Sequence, residues 1–322
     1  MVQLSEGIAL AALGAAAIAT LINVRRRKAL RTKLIANKHW PEKRANFLDN
    51  LSADDLLLIT DFDATITAGD AEQCHDMVGA SPLLSKAFRD EFQPLLDWTS
   101  NVQIDGVEWW DKAHELMVEH GMPPRPLIPR LVREASMTPR PGALELLKRL
   151  EALRVPVCIV SAGMADVIEE WLRQYGVLSE NVTVCSNRLN YHADSTPKSV
   201  SPSRPITSFT KEYAYASASS FFAKHKSRRA IIQLGDSLHD VDPAKKVPCD
   251  RLLSIGFLNA RPDKSKHVET FDAVVLENGG SLQPVADLLD AIPSTTLAGK
   301  AMDAIRRSPS GRVLFPAVEA AC

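Results

Sequence analysis

A chain of 322 residues is long enough for one large domain or two moderate ones, and 45% hydrophobic with 24% charged residues is the balance of an ordinary globular protein. The formal net charge of -1 excludes a global basic field, so no nucleic-acid polymer is expected as a partner. Five scattered cysteines (Cys74, Cys158, Cys185, Cys249 and Cys322) have no CxxC spacing, which argues against a disulfide framework or a zinc site and for a reducing compartment.

The first segment stands apart. Gly7 to Val24, "GIALAALGAAAIATLINV", carries no charge and is followed at once by Arg25, Arg26, Arg27 and Lys28. About 18 apolar residues reach the lower limit for crossing a bilayer. The basic cluster follows the apolar run instead of leading it, which argues against a cleaved secretory peptide. If the segment spans, the same flank favours leaving the bulk of the chain in the cytosol. Residues 1–36 are expected to be a membrane anchor with a basic linker; a targeting segment or a plain Ala-rich helix are the alternatives. Arg25 to Leu48 reads as a polar, mostly basic helix.

Leu56 to Thr60 is an apolar run of strand length. From Ser81 to about Glu134 the signals are helical, with "WWDKAHELMVEHG" showing three- and four-residue apolar spacing. A helix and a strand at Val155 to Val160 follow, then an amphipathic helix closed by Gly176. "VTVCSN", Ala230 to Leu234, "LLSIGFLN" and "DAVVLENG" read as further strands. Ser195 to Ser208, rich in Pro and Ser, reads as a loop, and the tail after Ile292 as loose. This alternation implies an α/β fold, a doubly wound and mostly parallel sheet built from residues 37–66 and 140–292. Residues 67–139 would form an inserted helical cap and 293–322 a flexible tail.

Ligands of open α/β sheets sit beyond the carboxyl ends of the strands. Three strands here run into polar groups: Asp61 and Asp63; Ser161 with Ala162 and Gly163; Asp236 with Ser237 and Asp240. Acids converging on one edge repel each other unless a cation is present, and oxygen-only ligands suit Mg²⁺ together with a phosphate. Each piece alone has an ordinary structural explanation: a turn, a helix cap, a solvated lysine. Their order, each behind an apolar strand, is hard to assign to chance.

"DFDAT", "VSAG", Lys211 and "GDSLHD" resemble the four motifs of the haloacid dehalogenase superfamily of phosphohydrolases. "ITDFDATIT", Cys74-His75, "VEWW" at Val107 to Trp110, "SAGMADVIEEWLRQYGV", "LGDSLHDVD" and "IGFLN" resemble the cytosolic 5'-nucleotidase III family, the pyrimidine 5'-nucleotidases, over about Asn37 to Ile292. The resemblance implies a haloacid dehalogenase-like core and a monomeric enzyme. It would hydrolyse nucleoside 5'-monophosphates, with CMP or UMP expected, through an aspartyl-phosphate. The alternative is a phosphatase or phosphotransferase for another small phosphorylated metabolite or 7-methylguanosine monophosphate.

The resemblance also implies the site. Asp61 would be nucleophile and Mg²⁺ ligand, Asp63 general acid and base and a ligand through its carbonyl, and Asp236 the third ligand, with Asp240 holding the metal's waters. Ser161, with the backbone N–H groups of Ala162 and Gly163 at a helix N-terminus, would bind phosphate, and Lys211 would supply positive charge, Lys198 being the weaker candidate. Thr65 would stiffen the nucleophile loop. Glu108 and His75 would meet the base, and of the adjacent Trp109 and Trp110 one would pack the cap and the other line the pocket. The segment from Thr67 to Cys74 is shorter than the family pattern and lacks its basic residues, so pocket shape is least defined there.

Overall fold

Leu56–Thr60 is fully buried and lies inside an eight-stranded sheet. The computed structural model describes residues 33–97, 106–259, 264–276 and 280–292. The expected anchor at Gly7 to Val24 and the expected tail lie outside the described residues. Among the described residues no helix is long and apolar enough to cross a membrane.

In chain order the elements are β1 (Leu34–Ala36), α1 (Trp40–Leu48), β2 (Leu56–Thr60), α2 (Cys74–Ala80), α3 (Lys86–Phe92), α4 (Gly106–Glu119) and α5 (Ile128–Glu134). There follow α6 (Ala143–Ala152), β3 (Val157–Met164), α7 (Ala165–Gln174), β4 (Val182–Tyr191), β5 (Pro197–Ser201), α8 (Ala214–Ser217) and α9 (Ser219–Lys224). The last are β6 (Ala230–Gly235), α10 (Asp242–Lys246), β7 (Arg251–Leu258), α11 (Lys264–Thr270), β8 (Ala273–Leu276) and α12 (Gln283–Asp290).

The sheet order is β1-β8-β7-β6-β2-β3-β4-β5, antiparallel only at the two edges. Winding from β2 runs outward through β3 and β4, then restarts at β6 on the other side, so the direction reverses between β2 and β6. That reversal opens the crevice in which doubly wound sheets bind ligands. With helices on both faces, β2 reads as an unbroken apolar run instead of an alternating one.

The helices α2 to α5 leave the sheet layer after β2. Thr67 and Pro139 form an isolated antiparallel bridge where the chain departs and returns. The insertion has no separate core among the described residues: Phe88, Phe92 and Trp109 belong to the same apolar cluster as Leu56 and Leu58.

Three expectations need correction. The Pro/Ser-rich stretch at 195–208 contains β5, paired antiparallel with β4. Proline at the first residue of an edge strand loses no ladder bond, so its presence did not exclude a strand. Arg25 to Leu48 is not one helix: α1 starts only at Trp40, with Pro41 in its first turn, and Leu34–Ala36 pairs with β8. The segment 1–36 therefore includes an edge strand of the sheet. Finally, β3 continues through Ser161, Ala162 and Gly163, so these residues end a strand; α7 begins only at Ala165.

Compared with a chain beginning at residue 33, one beginning at residue 38 uncovers β8 and should melt lower by about 3 °C, the shift of ~1 kcal/mol in a domain of this size. Equal midpoints would show that β1 contributes nothing.

Candidate active site

Parallel pairing brings the strand ends together. Thr60 is in register with Leu234 on one side and Ile159 on the other, so Asp61, Ser161 and Asp236 emerge at one edge. The Asp61 backbone N–H donates to the Leu234 carbonyl at 3.1 Å, which extends the ladder to the nucleophile candidate itself. Oxygens of Asp61, Asp236 and Asp240 lie within 4.8 Å of one another, all three residues buried. Asp240 is thus inside the cluster. Its Oδ2 accepts from the Ser237 N–H at 2.7 Å, which closes the turn after β6.

Lys211 is buried between two of these acids. Its Nζ lies 2.6 Å from Asp61 Oδ1 and 2.5 Å from Asp240 Oδ1. Burial works against its charge, but Asp240 and Asp61 outweigh burial and hold the ammonium above its ordinary value. Burial also pushes the Asp61 carboxyl well above the usual range; Lys211 opposes this, and Asp240 and Asp236 add to it. Lys198, on edge strand β5, is exposed.

Asp63 sits on the insertion side of the cluster. The Cys74 N–H donates to its Oδ1 at 3.2 Å, and burial raises its carboxyl to about 7, against the lowering effect of Cys74. Gly163 makes this approach possible, since a Cβ there would lie 2.8 Å from Cys74 Sγ and 3.1 Å from Asp63 Oδ2. An acid poised near neutrality can give and take a proton at working pH.

The end of β3 is tied down from outside. The Ala162 carbonyl accepts from Trp110 Nε1 and from Asn187 Nδ2, both at 2.9 Å, and the Gly163 carbonyl accepts from Ser186 Oγ at 2.7 Å. The Gly163 N–H donates to Ser161 Oγ at 3.0 Å. Trp110 therefore joins α4 to the serine strand, while Trp109 donates to the Leu95 carbonyl at 2.8 Å inside the insertion. His75 is buried 5.1 Å from the Trp109 ring and 6.0 Å from that of His114. Burial lowers these imidazoles to about 3 and about 4, so both are neutral near pH 7. Glu108 is exposed in the first turn of α4, two residues before Trp110.

With all groups ionised, three carboxylates and one ammonium leave two negative charges (-3 + 1 = -2) in a buried, all-oxygen donor set. That composition fits a hard divalent cation such as Mg²⁺. Among the described residues, Asp61, Asp236 and Asp240 are placed so that they could hold it.

The model of the pyrimidine 5'-nucleotidase (UMPH-1) family matches residues 69–293. The chain belongs to the pyrimidine 5'-nucleotidase family. The 7-methylguanosine phosphate-specific 5'-nucleotidase of Gallus gallus is 31% identical over 253 residues, covering 73% of this chain and 86% of the relative. The Mus musculus protein of the same name is 29% identical over 255 residues, covering 73% and 84%. A solved structure of cytosolic 5'-nucleotidase IIIB bound to cytidine superposes with a TM-score of 0.71 at 25% identity, over 80% of this chain and 93% of that one. The unliganded structure of a probable phosphoserine phosphatase from Vibrio cholerae shares the fold, with a TM-score of 0.52 at 13% identity over 81% of this chain and 69% of that one.

In this family member several residues of the site escaped sequence reasoning. Thr65 Oγ1 is buried without a partner, whereas Thr67 Oγ1 accepts from the Ala64 N–H at 2.8 Å, so Thr67 holds the loop after β2. Asn259 sits just beyond β7, where the rule that found Asp61 and Asp236 applies equally, and it donates to Asp236 Oδ2 at 3.3 Å. Arg140 is 1% exposed and bonds to the backbone of the loop after β2; burial lowers it to about 10, with Asp236 and Asp70 opposing. Nothing in "TPRPG" distinguishes that arginine from a surface one.

Asp63 supplies a pH test. Its folded value is raised above the ordinary 3.8, so its burial is free of penalty below that value and costs stability increasingly as pH rises to about 7. In metal-free protein Asp63→Asn should raise the thermal midpoint near pH 8 and leave it unchanged near pH 4. Equal shifts at both pH values would contradict the burial argument.

Proposed function

We propose that the chain is a Mg²⁺-dependent 5'-nucleotidase that hydrolyses nucleoside 5'-monophosphates to nucleoside and phosphate, acting as a monomer with its catalytic domain in the cytosol. The supporting observation is the convergence of Asp61, Asp236 and Asp240 around Lys211 at the crevice between β2 and β6, beside Asp63 and Ser161. Family membership supplies the substrate class. A membrane tether through residues 7–24 remains part of the reading, argued from the apolar run and its basic flank.

Asp61 attacks phosphorus, forming a bond from its carboxylate oxygen as the bond to the ribose 5'-oxygen breaks. Asp63, protonated in this step, gives its proton to that leaving oxygen. It then takes a proton from the water that attacks phosphorus in the aspartyl-phosphate, which releases phosphate and restores Asp61. Lys211 favours the ionised nucleophile and attracts the phosphoryl oxygens, and Ser161 Oγ, which accepts from the Gly163 N–H, donates its hydroxyl proton to the same group, with the Ala162 N–H beside it. A bound Mg²⁺ offsets the repulsion between carboxylate and phosphate. The carbonyls at the end of β3 accept from Trp110, Asn187 and Ser186, which fixes the backbone beside Ser161.

The helical insertion acts as a cap that selects the base. Glu108 accepts from an exocyclic amine, as on cytosine, and His75 contributes to the pocket wall. CMP and UMP are the first reading, supported by the family name and by the cytidine held by the IIIB structure. A second reading, 7-methylguanosine monophosphate, is favoured by the Gallus gallus and Mus musculus relatives, whose names carry that specificity.

Initial rates on CMP, UMP, 7-methylguanosine monophosphate, GMP, phosphoserine and a sugar phosphate, with and without Mg²⁺, test the reading. One of the first three should give the highest kcat/KM, with little turnover in chelator. Asp61→Asn should lower kcat by at least ~10³-fold in folded protein. Unchanged phosphate release from that variant, or a preference for phosphoserine, would refute the assignment.

A further inference from the structure

The loop after β2 and the loop after β6 carry the two halves of the acid cluster, and a buried polar bridge connects them. Arg140 enters from the chain just before α6. Its Nε donates to the Thr65 carbonyl at 2.8 Å, its Nη2 to the Ala64 carbonyl at 2.5 Å, and its Nη1 to the Gly280 carbonyl at 2.8 Å. The guanidinium lies 4.4 Å over the Phe257 ring. Its Nη2 also donates to Asn259 Oδ1 at 3.0 Å.

The Asn259 carboxamide completes the bridge. Its Nδ2 donates to the Ala64 carbonyl at 3.0 Å and to Asp236 Oδ2 at 3.3 Å. Arginine only donates, while a carbonyl and a carboxylate only accept, so the amide has one orientation that satisfies all three neighbours. Ala64 adopts a φ of 56°, a left-handed conformation that costs a non-glycine residue free energy. Its carbonyl is the one that both Arg140 and Asn259 hold. A strained residue three positions after Asp61 is thus fixed by Arg140 and by Asn259, and Asn259 also reaches Asp236.

We propose that Asn259, held by Arg140, is a positioning residue that sets the Asp236 carboxylate against the nucleophile loop and so determines how tightly the site binds its divalent cation. The inference rests on the reading of Asp236 as a metal ligand. Hydrogen bonds from outside a metal site fix the orientation of the ligands, and their loss typically weakens metal binding about 10–100-fold. Without the amide, the Asp236 carboxylate keeps its charge but loses one restraint on its direction.

Gly69 provides an independent way to disturb the bridge. A Cβ added there would lie 2.1 Å from Asn259 Oδ1, so Gly69→Ala displaces the carboxamide while every acid, Lys211 and Arg140 stay in the chain.

The test is Mn²⁺ binding to the full-length protein without substrate, followed by electron paramagnetic resonance, in wild type, Asn259→Ala, Gly69→Ala and Asp236→Ala. Asn259→Ala and Gly69→Ala should each weaken Mn²⁺ about 10–100-fold. With the preferred nucleotide, raising the metal concentration should restore much of kcat in both, at unchanged KM. Asp236→Ala should bind Mn²⁺ far more weakly than either. If Asp236→Ala binds as wild type does, Asp236 is no ligand and the metal reading itself falls, taking this inference with it. If Asp236→Ala loses the ion while Asn259→Ala and Gly69→Ala hold it as wild type does, only the positioning role is wrong. A lowered thermal midpoint with wild-type Mn²⁺ affinity would likewise reduce the bridge to a structural one.

Discussion

A single buried ammonium stands between carboxylates that would otherwise repel. Lys211 Nζ is 2.6 Å from Asp61 and 2.5 Å from Asp240, with both acids buried. Such an arrangement is poor value as a source of stability, because desolvating three charges offsets most of their attraction. Removing one partner is worse, since it strands the others without compensation. The cluster is therefore a place where stability yields to chemistry, and the surrounding structure serves to hold it.

The holding is done by topology first. Asp61 and Asp236 follow neighbouring parallel strands on either side of the point where the winding reverses, and the serine strand is the other neighbour of β2. No side-chain contact is needed to gather these groups; the register of the ladder does so. Polar contacts then refine the loops. Thr67 closes the turn after Asp61, Ser237 closes the one after β6, and Trp110 carries the insertion onto the end of β3. The last bond ties the helix bearing Glu108 to the strand bearing Ser161.

Much of this was legible in the sequence, and the limits have physical causes. Apolar runs ending in Asp61, Ser161 and Asp236 identify both the central strands and the edge at which a ligand binds, because a fully buried parallel strand cannot alternate and its end must carry the polar groups. Edge elements were less visible. Three residues at Leu34–Ala36 are too short, and five at Pro197–Ser201 too polar, for a periodic signal, and edge strands tolerate the Pro and Ser that punctuate loops elsewhere. Arg140 could not be found, since one arginine beside a proline carries no mark of burial. Asn259 could have been, for it follows an apolar strand as the acids do. Thr65 and Thr67 illustrate a finer limit: two threonines in one turn differ only in direction, which the backbone settles.

The central claim is that Asp61 takes the phosphoryl group. The most direct measurement is to quench the enzyme during turnover of its preferred nucleoside monophosphate, reduce any acyl phosphate with borohydride, and sequence the peptides by mass spectrometry. Aspartyl-phosphate is reduced to homoserine, so the account requires homoserine at position 61 in wild type and its absence without substrate. Homoserine at another aspartate, or none while phosphate is being released at the full rate, would contradict it.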